Sequence, residues 1–328
     1  LSAVPSDRAA SEPWPPADVA DTLRGPGVRG ALLLQGDRTV FEHCRADTHP
    51  AALQPVNSIT KSVLGMLVGV ALQRGELAGL DQRLDALVSE SRAQEVSDEA
   101  RGITLWQLMT MTAGFDWDER QVDDCLLHAC TRLDGDNARL RFILGRDMAE
   151  PPGTRFRYDS HAVHLLAIAL TRTVNRSLDD YAAEHLFGPL GITSFTWERD
   201  EDGVPFGGRG LALATHDLAR LGTLMLREGQ WQGRPLLPRE YVRQVTTRHH
   251  AGGFPLEDTL GYGGLWWIPA PPNDTGGSCF AFGFGEQLLA LDPSRDLVLA
   301  VTADSDKSAK HVRQAWIALL DGQGAKGA

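Results

Sequence analysis

The chain has 328 residues, 42% hydrophobic and 23% charged, with a net charge of −11. That is enough apolar material for one large domain or two interleaved ones. The acidity, with no basic stripe interleaved with aromatics, argues against a nucleic-acid partner, and the longest apolar run, Val63 to Leu72, is too short to span a bilayer.

Residues 1–16 are rich in Ala, Ser and Pro and read as a disordered N-terminal arm. A short helix is expected over Ala17–Arg24. Two apolar runs, Val28–Gln35 and Thr39–His43, flank Gly36-Asp37 as a hairpin. Asn57-Ser58-Ile59-Thr60-Lys61-Ser62 then opens a long apolar run that Gly75 ends, the pattern of a buried helix with Ser58 in its first turn. From Asp81 to Thr196 the pattern is helical and irregular, with a capped helix near Ile103–Met111, a Pro151-Pro152-Gly153 turn and a helix from Ala162 to Thr173. A Gly/Asp-rich loop, Trp197–Gly208, leads to a helix over His216–Glu228. Strands are expected over Tyr262–Ile268, Cys279–Phe284, Gln287–Leu291 and Leu297–Thr302, then a closing helix over Lys310–Leu320.

Strands at both ends around a helical middle predict an α+β fold. An antiparallel sheet flanked by helices is built from 17–80 plus 197–328, and 81–196 forms an inserted helical domain. Ser58 then lies where the two meet, a common place for a cleft.

The four cysteines are too few for a disulfide scaffold. Their usage points to a reducing, cytoplasmic compartment rather than an exported one, although a processed start leaves export open. Cys125-Leu-Leu-His128-Ala-Cys130 matches no zinc spacing and reads as helix core, so no metal is expected.

Ser58 and Lys61 are three residues apart, which places both side chains on one helix face. A serine hydroxyl becomes a strong nucleophile when a nearby base takes its proton. A neutral lysine can do that; an arginine effectively cannot. Basic residues here are overwhelmingly arginine, and Lys61 is the only lysine before Lys307. The competing reading is a serine that caps the helix beside a solvated lysine. Tyr158, one of four tyrosines, follows the Pro-Gly turn in a polar stretch. A phenol near an amine can shuttle protons, with Ser160 helping to position it, although a loop tyrosine packed on the core fits the same pattern. Acyl transfer also needs oxyanion donors. The Ser58 N–H at a helix start is one. A strand edge such as Ala281-Phe282-Gly283-Phe284-Gly285 suits the other, because glycines in a strand permit close backbone approach.

Taken in order, these motifs resemble the serine β-lactamase and penicillin-binding-protein superfamily. The nearest look is to class C β-lactamase-like hydrolases, the group with esterases and nylon-oligomer (6-aminohexanoate-dimer) hydrolases. Ser-x-x-Lys falls on Ser58–Lys61 and Tyr-x-Ser on Tyr158–Ser160. Similar phrases surround them, including Pro152-Gly-Thr-Arg-Phe156 and Pro189-Leu-Gly-Ile192. The resemblance implies that Phe284 supplies the second oxyanion N–H. The third motif departs: where β-lactamases carry Lys-Thr-Gly, this chain has Ala281-Phe282-Gly283, without the cation that helps hold a β-lactam carboxylate.

The expectation is therefore a serine hydrolase that cleaves a small ester or amide through an acyl-enzyme on Ser58. Lys61 and Tyr158 act as acid and base, no cofactor is needed and β-lactamase activity is weak or absent. Candidate substrate contacts are Ser160, Trp117, Phe282, Gly283 and Trp267, with Trp266 a further aromatic wall. The same acyl-enzyme would serve an acyltransferase or cyclase, and a non-catalytic ligand-binding relative is the third reading.

Overall fold

The computed structural model describes residues 14–89, 96–121, 133–257, 259–271, 277–306 and 308–321. Helix α1 (Ala17–Leu23) leads into a hairpin of β1 (Val28–Gln35) and β2 (Arg38–Cys44). Gly36 turns it with a φ of +59°, a conformation glycine adopts at no steric cost. After the short β3 (Gln54–Pro55) comes α2 (Ile59–Gln73), buried continuously from Ile59 to Ala71.

The middle of the chain is helical: α3 (Leu84–Leu87), α4 (Asp98–Gly102), α5 (Leu105–Met109), α6 (Ala138–Leu144), α7 (Ser160–Val174) and α8 (Leu178–Ala182). Thr104 and Gln107 form a reciprocal capping box at the start of α5. Next, β4 (Thr196–Trp197) and β5 (Leu211–Leu213) join β3 in a small sheet, before α9 (Thr215–Leu226). A ribbon of β6 (Gln230–Trp231) and β7 (Arg234–Pro235) precedes α10 (Arg239–Val245). The chain continues through β8 (His250–Ala251), β9 (Gly261–Tyr262), β10 (Trp267–Ile268), β11 (Cys279–Gly283), β12 (Gln287–Asp292) and β13 (Leu297–Ala303) to α11 (Val312–Leu320).

The main sheet has the order β2-β1-β13-β12-β11-β10-β9-β8, every neighbouring pair antiparallel. Its centre joins the two ends of the chain: Leu33 of β1 faces Leu299 of β13, and Ala31 faces Val301. Both β12 and β13 are buried at every residue, as strands covered on both faces must be. Helix α9 packs on β13, β12 and β1. Gly222 permits its approach, since a Cβ there would lie 2.7 Å from side-chain atoms of Leu289 and Val298. Helix α11 packs on α1 and β12, while α2 touches β11, β12 and α7. The start of α2 thus lies between the sheet and the helical region. Among the described residues, no helix is long and apolar enough to cross a membrane.

The α+β architecture agrees with the pattern of the sequence; several local expectations are corrected. Tyr262–Ile268 is not one strand but a tight hairpin of β9 and β10, with Trp267 opposite Tyr262. The chain reverses through Gly263 and Gly264, and Leu265 takes a φ of +67°. Hydrophobicity hid this turn because it is buried: Leu265 and Trp266 are core residues. Helix α7 starts at Ser160 rather than Ala162, because the Asp159 carboxylate caps it, accepting from the N–H groups of His161 and Ala162. Strand β11 stops at Gly283, leaving Phe284 54% exposed. Part of the expected loop after Thr196 pairs as β4. Cys125, His128, Cys130 and the arm up to residue 13 lie outside the described residues; Trp14 packs against the core.

Candidate active site

The site is built on the first turn of α2. Asn57 has a left-handed φ of +49°, and Ser58 follows with helical angles and no side-chain capping bond. The cap reading of Ser58 is thereby set aside. Lys61 Nζ donates instead to Ser58 Oγ at 2.9 Å and to the Gly208 carbonyl at 2.7 Å. Lys61 is 2% exposed, so the solvated-lysine reading fails as well. Its Nζ also sits 4.8 Å from the centroid of the Tyr158 ring. Among the described residues its partners are a hydroxyl, a carbonyl and an aromatic face, none of them a carboxylate. The turn is tied down on two further sides: Thr60 Oγ1 donates to the Asn57 carbonyl and accepts from Leu211 N–H, and Ser62 Oγ donates to the Leu265 carbonyl.

Tyr158 lies between the Pro-Gly turn and α7. Backbone and charge fix it there: Arg157 N–H donates to the Met111 carbonyl, and Asp159 pairs at 2.9 Å with the buried Arg146. The Tyr158 ring is buried and stacks on Trp267 at 6.2 Å between centroids with an 18° interplanar angle. Ser160 does not reach Ser58 by a hydrogen bond. Its hydroxyl donates to Glu119, whose carboxylate also accepts from Ser160 N–H at 2.8 Å and Trp117 Nε1 at 3.0 Å. Ser160 does border the Lys61 acceptor, since a Cβ on Gly208 would lie 3.1 Å from Ser160 Cβ.

The end of β11 closes the other side. A Cβ at Gly283 would sit 2.5 Å from the Val56 carbonyl oxygen and 3.2 Å from Asn57 Cβ, so only glycine admits this approach. The next residue is Phe284, and its carbonyl accepts from Asn57 Nδ2 at 2.7 Å. Phe282 is half-buried against the core.

Beside Tyr158 opens a pocket of about 500 Å³, walled by Trp117, Phe156 and Phe254 among others. Its arginines are ion-paired within the chain: Arg120 with Asp118 at 2.8 Å, Arg157 with Glu150 at 2.8 Å and Arg155 with Glu150 at 3.3 Å. Arg209 pairs with Glu198 at 3.0 Å. Below Trp117, in edge contact with it, is His161. Burial, reinforced by Arg146, pushes its pKa down to about 2, so it stays neutral and belongs to the packing. Trp266 is core rather than pocket wall.

Reading by motif missed four contributors. Asn57 offered only the weak signal that asparagine tolerates left-handed geometry, which does not mark one asparagine over another. Gly208 acts through its carbonyl; the Gly207-Gly208 pair was the available signal, and a Cβ at Gly207 would lie 2.5 Å from the Val163 carbonyl. Glu119 and the buried pair His164–Asp200, at 2.9 Å, lie on segments whose approach to the site is purely tertiary. His164 Nδ1 accepts from Gly207 N–H at 3.2 Å, so the pair supports the loop whose next residue holds Lys61.

The chain is similar to known proteins over most of its length. The chain is 24% identical over 324 residues to the 6-aminohexanoate-dimer hydrolase of Paenarthrobacter ureafaciens, covering 93% of this chain and 79% of that one. Its fold matches a Bacillus anthracis protein provisionally described as a 6-aminohexanoate-dimer hydrolase, with a TM-score of 0.77, 18% identity and coverage of 93% and 80% of the two chains. It also matches EstCE1, a hydrolase with promiscuous acyltransferase activity, at a TM-score of 0.74 and 16% identity over 94% of this chain and 97% of that one. The sequence model of the Beta-lactamase family matches residues 18–323, nearly the whole chain, and the protein therefore belongs to the Beta-lactamase family.

Proposed function

We propose that this protein is a serine hydrolase that cleaves a small, uncharged ester or amide through an acyl-enzyme on Ser58. The observation that carries the reading is the 2.9 Å contact between Lys61 Nζ and Ser58 Oγ, made by a buried lysine whose partners among the described residues include no carboxylate. A lysine amine held at this distance can accept the serine proton, which an arginine cannot. As that proton passes to Lys61, Ser58 Oγ attacks the carbonyl carbon. The N–H groups of Ser58 and Phe284 hold the resulting oxyanion. Tyr158, against the lysine, passes a proton to the departing alcohol or amine as its bond breaks. Water then attacks the ester on Ser58, giving its proton back through the same pair and releasing the acid.

The pocket wall includes Tyr158 but not Ser58, which suits the part of the substrate extending from the reacting bond on the leaving-group side. Its size falls in the range of small-molecule sites. The strand Ala281-Phe282-Gly283 offers no cation, and Arg157 and Arg209 are already ion-paired, which favours uncharged substrates over carboxylates. The relatives' names, a dimer hydrolase and a hydrolase with promiscuous acyltransferase activity, support an acyl-enzyme open to water and to other acceptors.

Intact-mass spectrometry with an activated ester tests the reading. One acyl adduct is expected on the wild type, at Ser58, and none on a folded Ser58→Ala variant, which should also lose turnover. An adduct on the variant, or at another residue of the wild type, would remove Ser58 from the mechanism. A non-catalytic binding protein would give no adduct at all.

A further inference from the structure

We propose that Asn57 positions the Phe284 backbone as an oxyanion donor through its side-chain amide; this rests on the Ser58 acyl-enzyme reading above. Asn57 immediately precedes Ser58 and holds a φ of +49°. Asparagine is among the few non-glycine residues that enter this region readily, and such conformations cluster at functional sites. Its side chain is not spent on its own turn. Nδ2 donates to the Phe284 carbonyl at 2.7 Å and to Ser305 Oγ at 3.1 Å. One NH₂ group therefore ties the start of α2 to the β11–β12 turn and to the loop after β13, segments far apart in sequence.

The tie falls where a donor has to be held. Phe284 is 54% exposed, and the Asn57 amide is one of the contacts that hold its backbone. Gly283 brings the strand end against Val56, which sets the distance between the two segments. Fixing the Phe284 carbonyl then limits rotation of the residue whose N–H completes the oxyanion pair. On the far side, Gln287 links both polar groups of its amide to the Ala303 backbone, at 2.8 and 2.9 Å, so the turn is anchored at each end.

The competing account is that Asn57 is present only for its left-handed turn. Two substitutions separate the accounts. Asn57→Gly keeps the turn at no steric cost and removes the amide. Asn57→Asp keeps the shape but presents a carboxylate to the Phe284 carbonyl, which it cannot bond as a donor. With p-nitrophenyl butyrate, both folded variants should lose at least about tenfold in kcat with KM within about twofold, since an oxyanion donor acts mainly in the transition state. The acyl adduct should still form on Ser58, more slowly. Thermal melts establish that each variant is folded, and the Asp variant decides alone if the Gly variant is not. Wild-type kcat in either folded variant overturns the proposal while leaving the Ser58 reading intact. A wild-type enzyme that forms no adduct on Ser58 overturns that reading and this proposal with it.

Discussion

The Gly208 carbonyl accepts a hydrogen bond from Lys61 Nζ at 2.7 Å, and this contact orients the amine toward Ser58. The Gly208 peptide touches Ser160, and its neighbour Gly207 is held by His164 and, through it, Asp200. The amine is therefore located by a polar strut, and the serine and tyrosine segments meet at one glycine.

That geometry separates charge from basicity. Lys61→Arg keeps a long basic side chain but cannot accept a proton, so it should be nearly as inactive as Lys61→Ala. The check is kcat/KM on p-nitrophenyl butyrate for both variants. An arginine variant within about tenfold of wild type, under roughly 1.4 kcal/mol in barrier terms, would show that the lysine is not the base.

Gly283→Ala should damage the site and the fold together. The added methyl would meet the Val56 carbonyl oxygen at 2.5 Å, and backbone cannot yield there as a flexible side chain would. Overpacking of this kind costs about 1–3 kcal/mol. The expected outcome is a lower thermal midpoint and a fall in kcat of more than about tenfold, as the Phe284 N–H is pushed away from Ser58. Unchanged kcat would mean that the close approach has no part in catalysis.

Short-chain p-nitrophenyl esters should be turned over, and penicillins or cephalosporins poorly. A β-lactam brings a carboxylate that must lose its water, a cost of several kcal/mol if no partner meets it. Ala281 and Phe282 cannot provide one, and Arg157 and Arg209 are engaged with Glu150 and Glu198. Comparing kcat/KM for nitrocefin and p-nitrophenyl butyrate on one preparation decides it: nitrocefin turnover equal to or above ester turnover would sink the substrate argument.

Acid stability should depend on Glu201. Burial raises its pKa, but hydrogen bonds from Arg139 and the Leu133 N–H outweigh that and bring it down to about 2. Because the folded value lies below the ordinary one, the stabilisation is complete above about pH 4.5 and is lost as pH falls toward 2. Arg139 is fully buried against it at 2.7 Å, so Glu201→Gln removes a carboxylate that faces a buried charge, at a cost of up to about 3–5 kcal/mol. The variant should melt below wild type at pH 7, and the gap should narrow from pH 4.5 downward. Parallel melting curves across that range would contradict the assignment.

Much of this was legible in the sequence because it rests on local rules. The apolar run after Ser58, the Gly36-Asp37 turn and the strands at both chain ends each carry a short-range signature, and three-residue spacing was enough to bring Ser58 and Lys61 together. Tyr158 could be named from its scarcity and setting, but not its stacking on Trp267, which depends on an unseen hairpin: Gly263–Trp266 reverses inside the core, where a turn needs no polar residues. Asn57, Gly208 and Glu119 stayed hidden for a related reason. Each acts through a partner at least forty residues away, and nothing in the flanking sequence encodes such a meeting.

The antiparallel pairing of β1 with β13 also bears on when the enzyme comes to life during synthesis. The serine segment leaves the ribosome early, but the turn that Asn57 grips follows 227 residues later, and β13 must slide in between β1 and β12 before the sheet can close. Non-local pairing of this kind is slow and comes late in folding. A nascent chain would carry Ser58 and Lys61 on an exposed apolar helix without an oxyanion pair. Chains ending before Leu297 would then be not weakened enzymes but aggregation-prone, inactive polypeptides.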